Sequence, residues 1–224
     1  MSAIVPVKMG HVDGSLIDTA GARDIAPYVL ENGIMQPVPA DFYRETTAIE
    51  RALFGQKQGI YGFLTFELID WLRDRIGGRK AIEIGAGHGA LAAALEIPAT
   101  DSKMQDDPKI AAWYAAHGQP TVTYGRNVEK LDAKAAIRKH RPEVVIASWV
   151  THKYRPARHY AGGNAFGVNE EEVIAKCEYI FIGNTQVHSG KSIWEIPHEI
   201  IHPDWLFSRA HNGTPEFIAT WGCK

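Results

Sequence analysis

The hydrophobic residues follow a helical period between residues 41 and 76. A first helix is predicted from Asp41 to Gly55, because aspartate favours the start of a helix and glycine favours its end. A second helix is predicted over residues 63–76, where two glycines follow. Its apolar face consists of Phe63, Leu64, Leu68, Trp71, Leu72 and Ile76.

From residue 80 onwards, short apolar runs alternate with helical segments. The runs lie at residues 81–84, 97–100, 121–124, 143–148 and 179–182. This alternation is typical of parallel strands whose connecting helices cover both faces of a sheet. Asn212-Gly213, between two apolar clusters at residues 205–207 and 217–221, predicts a closing hairpin. We therefore expect an α/β fold, a three-layer sandwich with a mostly parallel seven-stranded sheet and an antiparallel C-terminal hairpin.

The first forty residues differ in composition from the rest of the chain. Prolines and glycines interrupt them without a sustained hydrophobic period, which predicts an irregular arm. We expect an N-terminal arm and helix over residues 1–57 and a ligand-binding domain over residues 58–224.

Charge and cysteine content argue against several classes of protein. Lys and Arg total 24 against 26 for Asp and Glu, so no overall positive field attracts polyanions. No run of 18 apolar residues occurs, and we expect no membrane partner. Cys177 and Cys223 form neither a disulfide framework nor a metal-binding pair. These features favour a cytoplasmic protein.

A glycine-rich turn, Glu83-Ile84-Gly85-Ala86-Gly87-His88-Gly89, follows the first predicted strand. Glycine permits a positive φ and lets the backbone approach a ligand closely. The spacing fits both a dinucleotide and S-adenosylmethionine. Glu83 favours S-adenosylmethionine, because a carboxylate can meet the amino group of its methionine part but would repel a pyrophosphate.

With these residues the chain resembles the class I, Rossmann-like S-adenosylmethionine-dependent methyltransferases over roughly residues 58–221. The resemblance implies that the glycine turn holds the methionine part and that an acidic residue ending the second strand binds the ribose. It also implies that a segment after the third strand frames the adenine. The residues so implied are Glu83, Gly85, Gly87, Gly89 and Asp101, with Asn127, Val128 and Glu129 around the adenine.

The segment after the fourth predicted strand should face the methyl group, because ligands bind outside the carboxyl ends of parallel strands. Ser148 and Trp149 begin this segment and are expected to contact the cofactor, with Trp149 stacking on adenine or on a planar substrate. His152 is the candidate catalytic base, since the ordinary pKa of histidine is about 6.5. Tyr154 is a candidate hydrogen-bond donor to the substrate.

Three other features have a possible functional role. Residues 153–160 interleave cations and tyrosines, which suits a lid or a surface for an anionic or nucleotide substrate. Residues 183–191 follow the fifth strand and are polar enough to line the same opening. His198 and His202 have the spacing of a helical metal pair, but prolines bracket them, and we expect no metal site.

The sequence thus predicts an S-adenosylmethionine-dependent methyltransferase with an unidentified acceptor. A small molecule is one acceptor class, and a nucleic acid stays open, although the Pro-Pro pattern of the family's base-amino methyltransferases does not follow Ser148. Two alternatives remain, a non-catalytic S-adenosylmethionine-binding or scaffold protein and a nicotinamide-dependent oxidoreductase. A homo-oligomer is compatible with the sequence.

Overall fold

The computed structural model describes residues 21–118 and 120–222. The N-terminal part is mainly helical. Its elements are α1 (Ala26–Val29), β1 (Leu30–Glu31), β2 (Ile34–Met35), α2 (Ala40–Arg44), α3 (Ala48–Gln58) and α4 (Phe66–Ile76).

Strands and helices alternate in the rest of the chain. The elements are β3 (Ala81–Ile84), α5 (Ala90–Leu95), β4 (Ala99–Asp101), α6 (Pro108–Ala116), β5 (Val128–Lys130), α7 (Ala133–His140), β6 (Val144–Ser148), α8 (Glu170–Ile174), β7 (Glu178–Asn184), β8 (Glu199–Ile201) and β9 (Glu216–Trp221).

The main sheet has seven strands in the order β5-β4-β3-β6-β7-β9-β8. The first five of these strands run parallel, and β9 pairs antiparallel with both β7 and β8. The order reverses between β3 and β6, because β4 lies on one side of β3 and β6 on the other. Ligands bind at such a switch point, beyond the carboxyl ends of the strands.

The sheet is buried on both faces, as alternation along β6 shows. Val144 and Ile146 belong to one apolar cluster, which includes Leu72 of α4. Val145 and Ala147 belong to another, which includes Val173 of α8. Since successive side chains of a strand point to opposite faces, helices cover both sides. The expected fold, a three-layer α/β sandwich with a mostly parallel seven-stranded sheet and an antiparallel C-terminal hairpin, is confirmed.

The N-terminal helices share this core. Val29, Tyr43 and Phe54 are buried in the same cluster as Leu72 and Ile146. The division at residue 57 stays a prediction, and residues 1–20 of the expected arm lie outside the described residues.

The helix predicted from Asp41 to Gly55 is wrong in detail, because two helices occupy this stretch. Thr47 starts the second one, α3, by a reciprocal capping box with Glu50, in which Thr47 Oγ1 accepts from Glu50 N at 3.1 Å and Glu50 Oε2 accepts from Thr47 N at 2.8 Å. Gly55 lies within α3, and the helix ends at Gly59, whose φ is +67°.

Two predicted strands are also wrong. Residues 121–124 belong to no strand, and the third strand is β5. The first strand of the C-terminal hairpin is β8, while residues 205–207 form no strand. Phe207 O instead accepts a hydrogen bond from Phe63 N at 2.9 Å, which joins this segment to the residues before α4.

No helix within the described ranges is both long and apolar enough to cross a membrane.

Candidate functional site

The turn between β3 and α5 requires its glycines. Gly85, Gly87 and Gly89 have φ values of +61°, +56° and +75°. A Cβ on Gly85 would lie 2.4 Å from Val150 Cγ1, and one on Gly89 would lie 2.6 Å from Val128 Cγ2. Both backbone conformation and space therefore exclude side chains here.

Glu83 lies on β3 with 2% of its surface exposed and lines the cavity above the turn. Its Oε2 accepts a hydrogen bond from Ala92 N at 3.0 Å. Burial raises the pKa of Glu83 to about 8, the Ala92 bond opposes this rise, and the negative charge of Asp101 adds to it. No cation of the described residues contributes to this balance. A positively charged group entering the cavity would favour loss of the Glu83 proton and would pair with the resulting carboxylate.

Asp101 ends β4 and faces the same turn. Its Oδ2 accepts from Gly87 N at 3.0 Å, and its Oδ1 accepts from Lys103 N at 2.7 Å. Burial raises the pKa of Asp101, while these two N–H groups oppose the rise. The carboxylate thus ties the end of β4 to the glycine turn at the wall of the cavity.

A cavity of about 200 Å³ lies over the turn at the carboxyl ends of β3, β4 and β6. The residues before α4 form one wall, and the connection between β4 and β5 forms another. Several aromatic side chains line it, among them Tyr61, Phe63, Tyr114, Tyr124, Trp149 and Phe207.

A second cavity of about 520 Å³ adjoins the first on the side of α7 and α8. Both cavities are lined by Gly85, Ser102 and residues 166–168. Leu131 and Asp132, which directly follow β5, line only the second. The two spaces therefore meet beside the glycine turn, where an elongated ligand could occupy both.

The structure places the predicted adenine segment, residues 127–129, outside both cavities. Val128 and Glu129 lie in β5 itself, and Asn127 Nδ2 donates to Gly89 O at 3.1 Å beneath the turn. Glu129 forms an ion pair with Lys139. None of the three predicted residues lines either cavity. Because β5 starts later than predicted, the residues beyond its carboxyl end are Leu131 and Asp132.

Ser148 and Trp149 line the first cavity, as expected for the end of β6. Trp149 has a φ of +60°, a rare conformation for a bulky residue. Its ring centroid lies 5.9 Å from that of Tyr61 and 5.1 Å from that of His188. A Cβ on Gly62 would lie 3.1 Å from Ser148 Oγ and 3.3 Å from Trp149 Cδ1, so the wall needs glycine there.

His152 and Tyr154 do not line this cavity. His152 borders a small separate cavity of about 10 Å³ together with Arg155 and Arg158. Burial lowers the pKa of His152, and the charge of Lys191 lowers it further. The Tyr154 side chain is 42% exposed. Val150 and Thr151 still line the first cavity, and the chain leaves it only after Thr151.

The loop between β6 and α8 is closed at its neck by four backbone hydrogen bonds. Lys153 N donates to Val168 O at 2.8 Å, and Val168 N donates to Thr151 O at 2.9 Å. Tyr154 N donates to Asn164 O at 2.8 Å, and Asn164 N donates to His152 O at 3.1 Å. Two of its cations form ion pairs, Arg155 with Glu171 at 2.7 Å and Arg158 with Glu195 at 2.9 Å.

A buried ion pair supports the start of that loop from the segment after β7. Lys191 Nζ lies 2.7 Å from Glu170 Oε2, and both side chains are 1% exposed. Lys191 Nζ also donates to Val150 O at 2.9 Å, while Tyr179 Oη donates to Glu170 Oε1 at 2.8 Å. This pair fixes the backbone of Val150, whose side chain touches the position that Gly85 keeps free.

The sheet order, the antiparallel hairpin and the glycine turn at the switch point decide the architecture. The chain has the class I methyltransferase fold. Within the ranges the structure describes, no group of three or more His, Cys, Asp and Glu side chains could hold a metal ion. His198 and His202 flank β8 and share no helix.

Several solved structures are similar to this chain. A SAM-dependent O-methyltransferase from Thermotoga maritima has 12% identity and a TM-score of 0.37, over 80% of this chain and 72% of that one. An rRNA methylase from Streptococcus thermophilus has 11% identity and a TM-score of 0.38, over 70% and 94% of the two chains. A cofactor-bound protein from MTB has 11% identity and a TM-score of 0.42, over 84% and 98%. No protein-family model and no curated protein matches the chain.

Sequence reasoning missed the wall that the β4–β5 connection contributes. Gln105 Oε1 accepts from Val122 N at 2.7 Å, and Tyr124 Oη accepts from Gln105 N at 3.3 Å. These contacts fold the connection over the glycine turn, where Val122 Cγ1 would lie 3.4 Å from a Cβ on Gly87. No signal of this wall was visible in the sequence, because the β-branched residues at 121–124 have the composition of a strand.

Proposed function

We propose that this chain is a methyltransferase that binds S-adenosylmethionine above the glycine turn. The observation that carries the proposal is Glu83, a carboxyl group that is 2% exposed at the cavity wall beside the glycine turn, and whose pKa is raised by burial. The ammonium group of a methionine moiety supplies a positive charge there. The pyrophosphate of a dinucleotide would meet repulsion from both Glu83 and Asp101.

The residues around the turn fit this cofactor. Gly85 and Gly87 leave the backbone free of side chains at the point of approach, and Asp101 offers acceptor oxygens for ribose hydroxyls. Leu131 and Asp132 replace residues 127–129 as the candidates beside the adenine, because they line the adjoining cavity. When bound, S-adenosylmethionine supplies an activated methyl group on a sulfonium. The aromatic walls of the cavity exclude water and orient the acceptor.

We propose a small-molecule acceptor. The cations of the loop after β6 suggested a surface for polyanions, but Arg155 and Arg158 are paired with carboxylates of the same chain. Their charges are therefore largely compensated. The aromatic cavity beside Trp149 offers a planar small molecule more contact than a charged surface would.

The proposal is tested by calorimetric titration of the purified protein with S-adenosylhomocysteine. Binding is expected for the unaltered chain, and Glu83→Gln and Asp101→Asn are each expected to weaken it about tenfold, the loss of one charged hydrogen bond. Glu129→Gln is the matched control, because the structure places this carboxylate on the surface beside Lys139. Absence of binding, or equal effects of all three changes, would contradict the proposal.

A second candidate is a protein that binds the cofactor without transferring its methyl group. The position of His152 outside the cavity favours it, since the base expected from the sequence is then not available to the acceptor. Transfer of a radiolabelled methyl group from S-adenosylmethionine to small molecules of a cell extract distinguishes the two. Quenching of tryptophan fluorescence by a nicotinamide cofactor would support the oxidoreductase instead.

A further inference from the structure

The two adjoining cavities differ in the charge of the side chains that line them. The charged side chains of the described residues that line the first cavity are Glu83 and Asp101, and both are acidic. The second cavity is lined by charged side chains of both signs, Lys134, Lys153, Lys176, Asp132 and Glu172. Because acids attract cations and repel anions, the first cavity favours a ligand that carries positive charge over one that carries negative charge.

His88 lies in the glycine turn and lines the first cavity. Its Nδ1 accepts a hydrogen bond from Ala90 N at 3.2 Å, so the proton of the neutral ring is on Nε2. Burial lowers the pKa of His88 to about 4. His88 is therefore a neutral hydrogen-bond donor at pH 7, and its lone pair is not available to take a proton from an acceptor.

Other titratable groups near the first cavity are also poorly suited to remove a proton. The proposed function pairs Glu83 with the ammonium group of the donor, and both carboxylate oxygens of Asp101 accept backbone N–H groups. Burial raises the pKa of Tyr114 and of Tyr124, so both phenols keep their protons at pH 7. His152 borders a separate, smaller cavity. The first cavity therefore suits an acceptor whose reacting atom carries no proton.

Trp149 offers the first cavity an aromatic surface. Tyr61 and His188 pack against its indole, with ring centroids 5.9 Å and 5.1 Å away. Trp149 nevertheless stays partly exposed and lines the cavity. Among aromatic side chains, the indole of tryptophan attracts cations most strongly. A planar cation at this wall therefore gains both contact area and electrostatic attraction.

We propose that the methyl acceptor is an uncharged heteroaromatic molecule that is methylated on a ring nitrogen and leaves as a cation. The lone pair of the nitrogen forms the N–CH3 bond, and the electron pair of the breaking S–CH3 bond stays on sulfur. The positive charge thus moves from sulfur to nitrogen, and no proton is released. The two acids and Trp149 stabilise this charge before and after the transfer. The proposal rests on the proposed function, because it assigns the acceptor of the same cavity.

The first test measures the charge preference by binding alone. The full chain is saturated with S-adenosylhomocysteine, which lacks the sulfonium charge, and is titrated calorimetrically with three probes of similar size. The probes are quinoline, the N-methylquinolinium cation that methyl transfer to quinoline would form, and the anion 2-naphthoate. The cation is expected to bind about tenfold more tightly than quinoline, a typical effect of a cation at a partly desolvated aromatic wall. The anion is expected to bind more weakly than either.

Substitution of Trp149 tests the aromatic wall. Trp149→Leu should reduce the preference for the cation over quinoline to about threefold, because only the acids then contribute, and Trp149→Phe should retain more of it. Trp113→Leu is the matched control, since this tryptophan of α6 is 55% exposed and does not line the first cavity. It should leave the preference unchanged. Thermal melting of each variant verifies folding.

The second test measures methyl transfer from saturating S-adenosylmethionine to quinoline, 2-naphthol and 2-naphthoate by mass spectrometry. Quinoline is expected to be methylated at least about tenfold faster than the two oxygen nucleophiles. Its rate should change by less than about twofold between about pH 6.5 and pH 8.5, because the reaction removes no proton.

Three results would overturn the inference. The first is equal binding of the cation and quinoline, or tighter binding of 2-naphthoate than of the cation. The second is an equal loss of cation preference in Trp149→Leu and Trp113→Leu. The third is faster methylation of 2-naphthol than of quinoline, with a rate that rises with pH, since this would show that a base takes part. Failure of S-adenosylhomocysteine to bind the unaltered chain would instead contradict the proposed function.

Discussion

The glycine turn after β3 and the loop after β6 leave neighbouring strands at the same edge of the sheet, yet they are built differently. The turn changes direction within a few residues by means of three glycines with positive φ. The loop has its strain at one bulky residue, Trp149, and extends to the start of α8. One conformation is specified by the residues of the turn, and the other is imposed by residues elsewhere in the chain.

Lys191 and Glu170 show how this imposition works. They lie beyond the loop in sequence, but the ammonium of Lys191 holds the carbonyl of Val150 directly after the strained Trp149. The conformation of the short turn is therefore determined by its own glycines, whereas the conformation of the longer loop at the same edge depends on tertiary contacts.

The largest expected effect comes from removing this support. Lys191→Met should lower the free energy of unfolding by about 3–5 kcal/mol, because it leaves Glu170 buried without its cation. Urea denaturation measures the change. Adding Glu170→Gln to Lys191→Met should recover part of the loss. Lys139→Met, which breaks an exposed pair with Glu129, should cost under about 1 kcal/mol. Similar losses for both single changes would refute the argument.

A substitution in the glycine turn tests whether the turn requires glycine for its conformation. Gly85→Ala should cost about 2–4 kcal/mol, since it adds a contact with Val150 Cγ1 to the cost of a positive φ. Gly78→Ala is the control, because Gly78 has a φ of +76° but no atom within 4 Å of a built Cβ. It should cost about 1–2 kcal/mol. Val150→Ala combined with Gly85→Ala should recover stability, and a failure to do so would place the strain elsewhere.

The protonation of Glu83 offers a test of ligand binding above the glycine turn. At pH 7 a carboxyl with a pKa of about 8 is roughly nine-tenths protonated, so pairing it with a ligand ammonium should release about 0.9 proton. Calorimetry of S-adenosylhomocysteine binding in two buffers of different ionisation enthalpy measures this release. Glu83→Gln should abolish it.

The same raised pKa determines how the free energy of unfolding depends on pH. Folded Glu83 keeps its proton up to about pH 8, whereas an ordinary glutamate loses it near 4.5, so its contribution to stability is fully present below pH 4.5 and is lost progressively until about pH 8. Glu83→Gln should flatten this dependence in denaturation experiments between about pH 4.5 and pH 8. An unchanged slope would show that another group causes it.

The smallest effect is expected in the loop itself. His152→Ala and Tyr154→Phe should change donor affinity and any measured methyl transfer by less than about twofold, because neither residue lines the cavity. Steady-state kinetics of methyl transfer measure both. A loss of about a hundredfold or more in His152→Ala would restore the role of catalytic base that the sequence suggested.

The sequence predicts best where local chemistry decides the structure. The strand at residues 81–84 has the expected bounds, and Asp107, which precedes a proline, caps α6 through Lys109 N and Ile110 N. In these places the apolar pattern, the glycines and the cap agree. The glycine turn, Glu83 and Asp101 come together around one cavity for the same reason.

Prediction fails where pairing partners are distant in sequence. Thr121-Val122-Thr123-Tyr124 has a stronger β-propensity than Val128-Glu129-Lys130, but the latter pairs with β4. Because the third strand was assigned too early in the sequence, two of the residues expected beside the adenine, Val128 and Glu129, lie within β5.

The hydrogen-bonded neck of the β6–α8 loop determines how much change the rest of the loop can accept. Because backbone bonds near Lys153 and Val168 close the loop at its base, residues 155–163 can be lengthened, shortened or grafted while β6 and α8 keep their places. Residues 155–163 line neither of the two larger cavities. The loop can therefore vary in length and sequence while the space above the glycine turn keeps its shape.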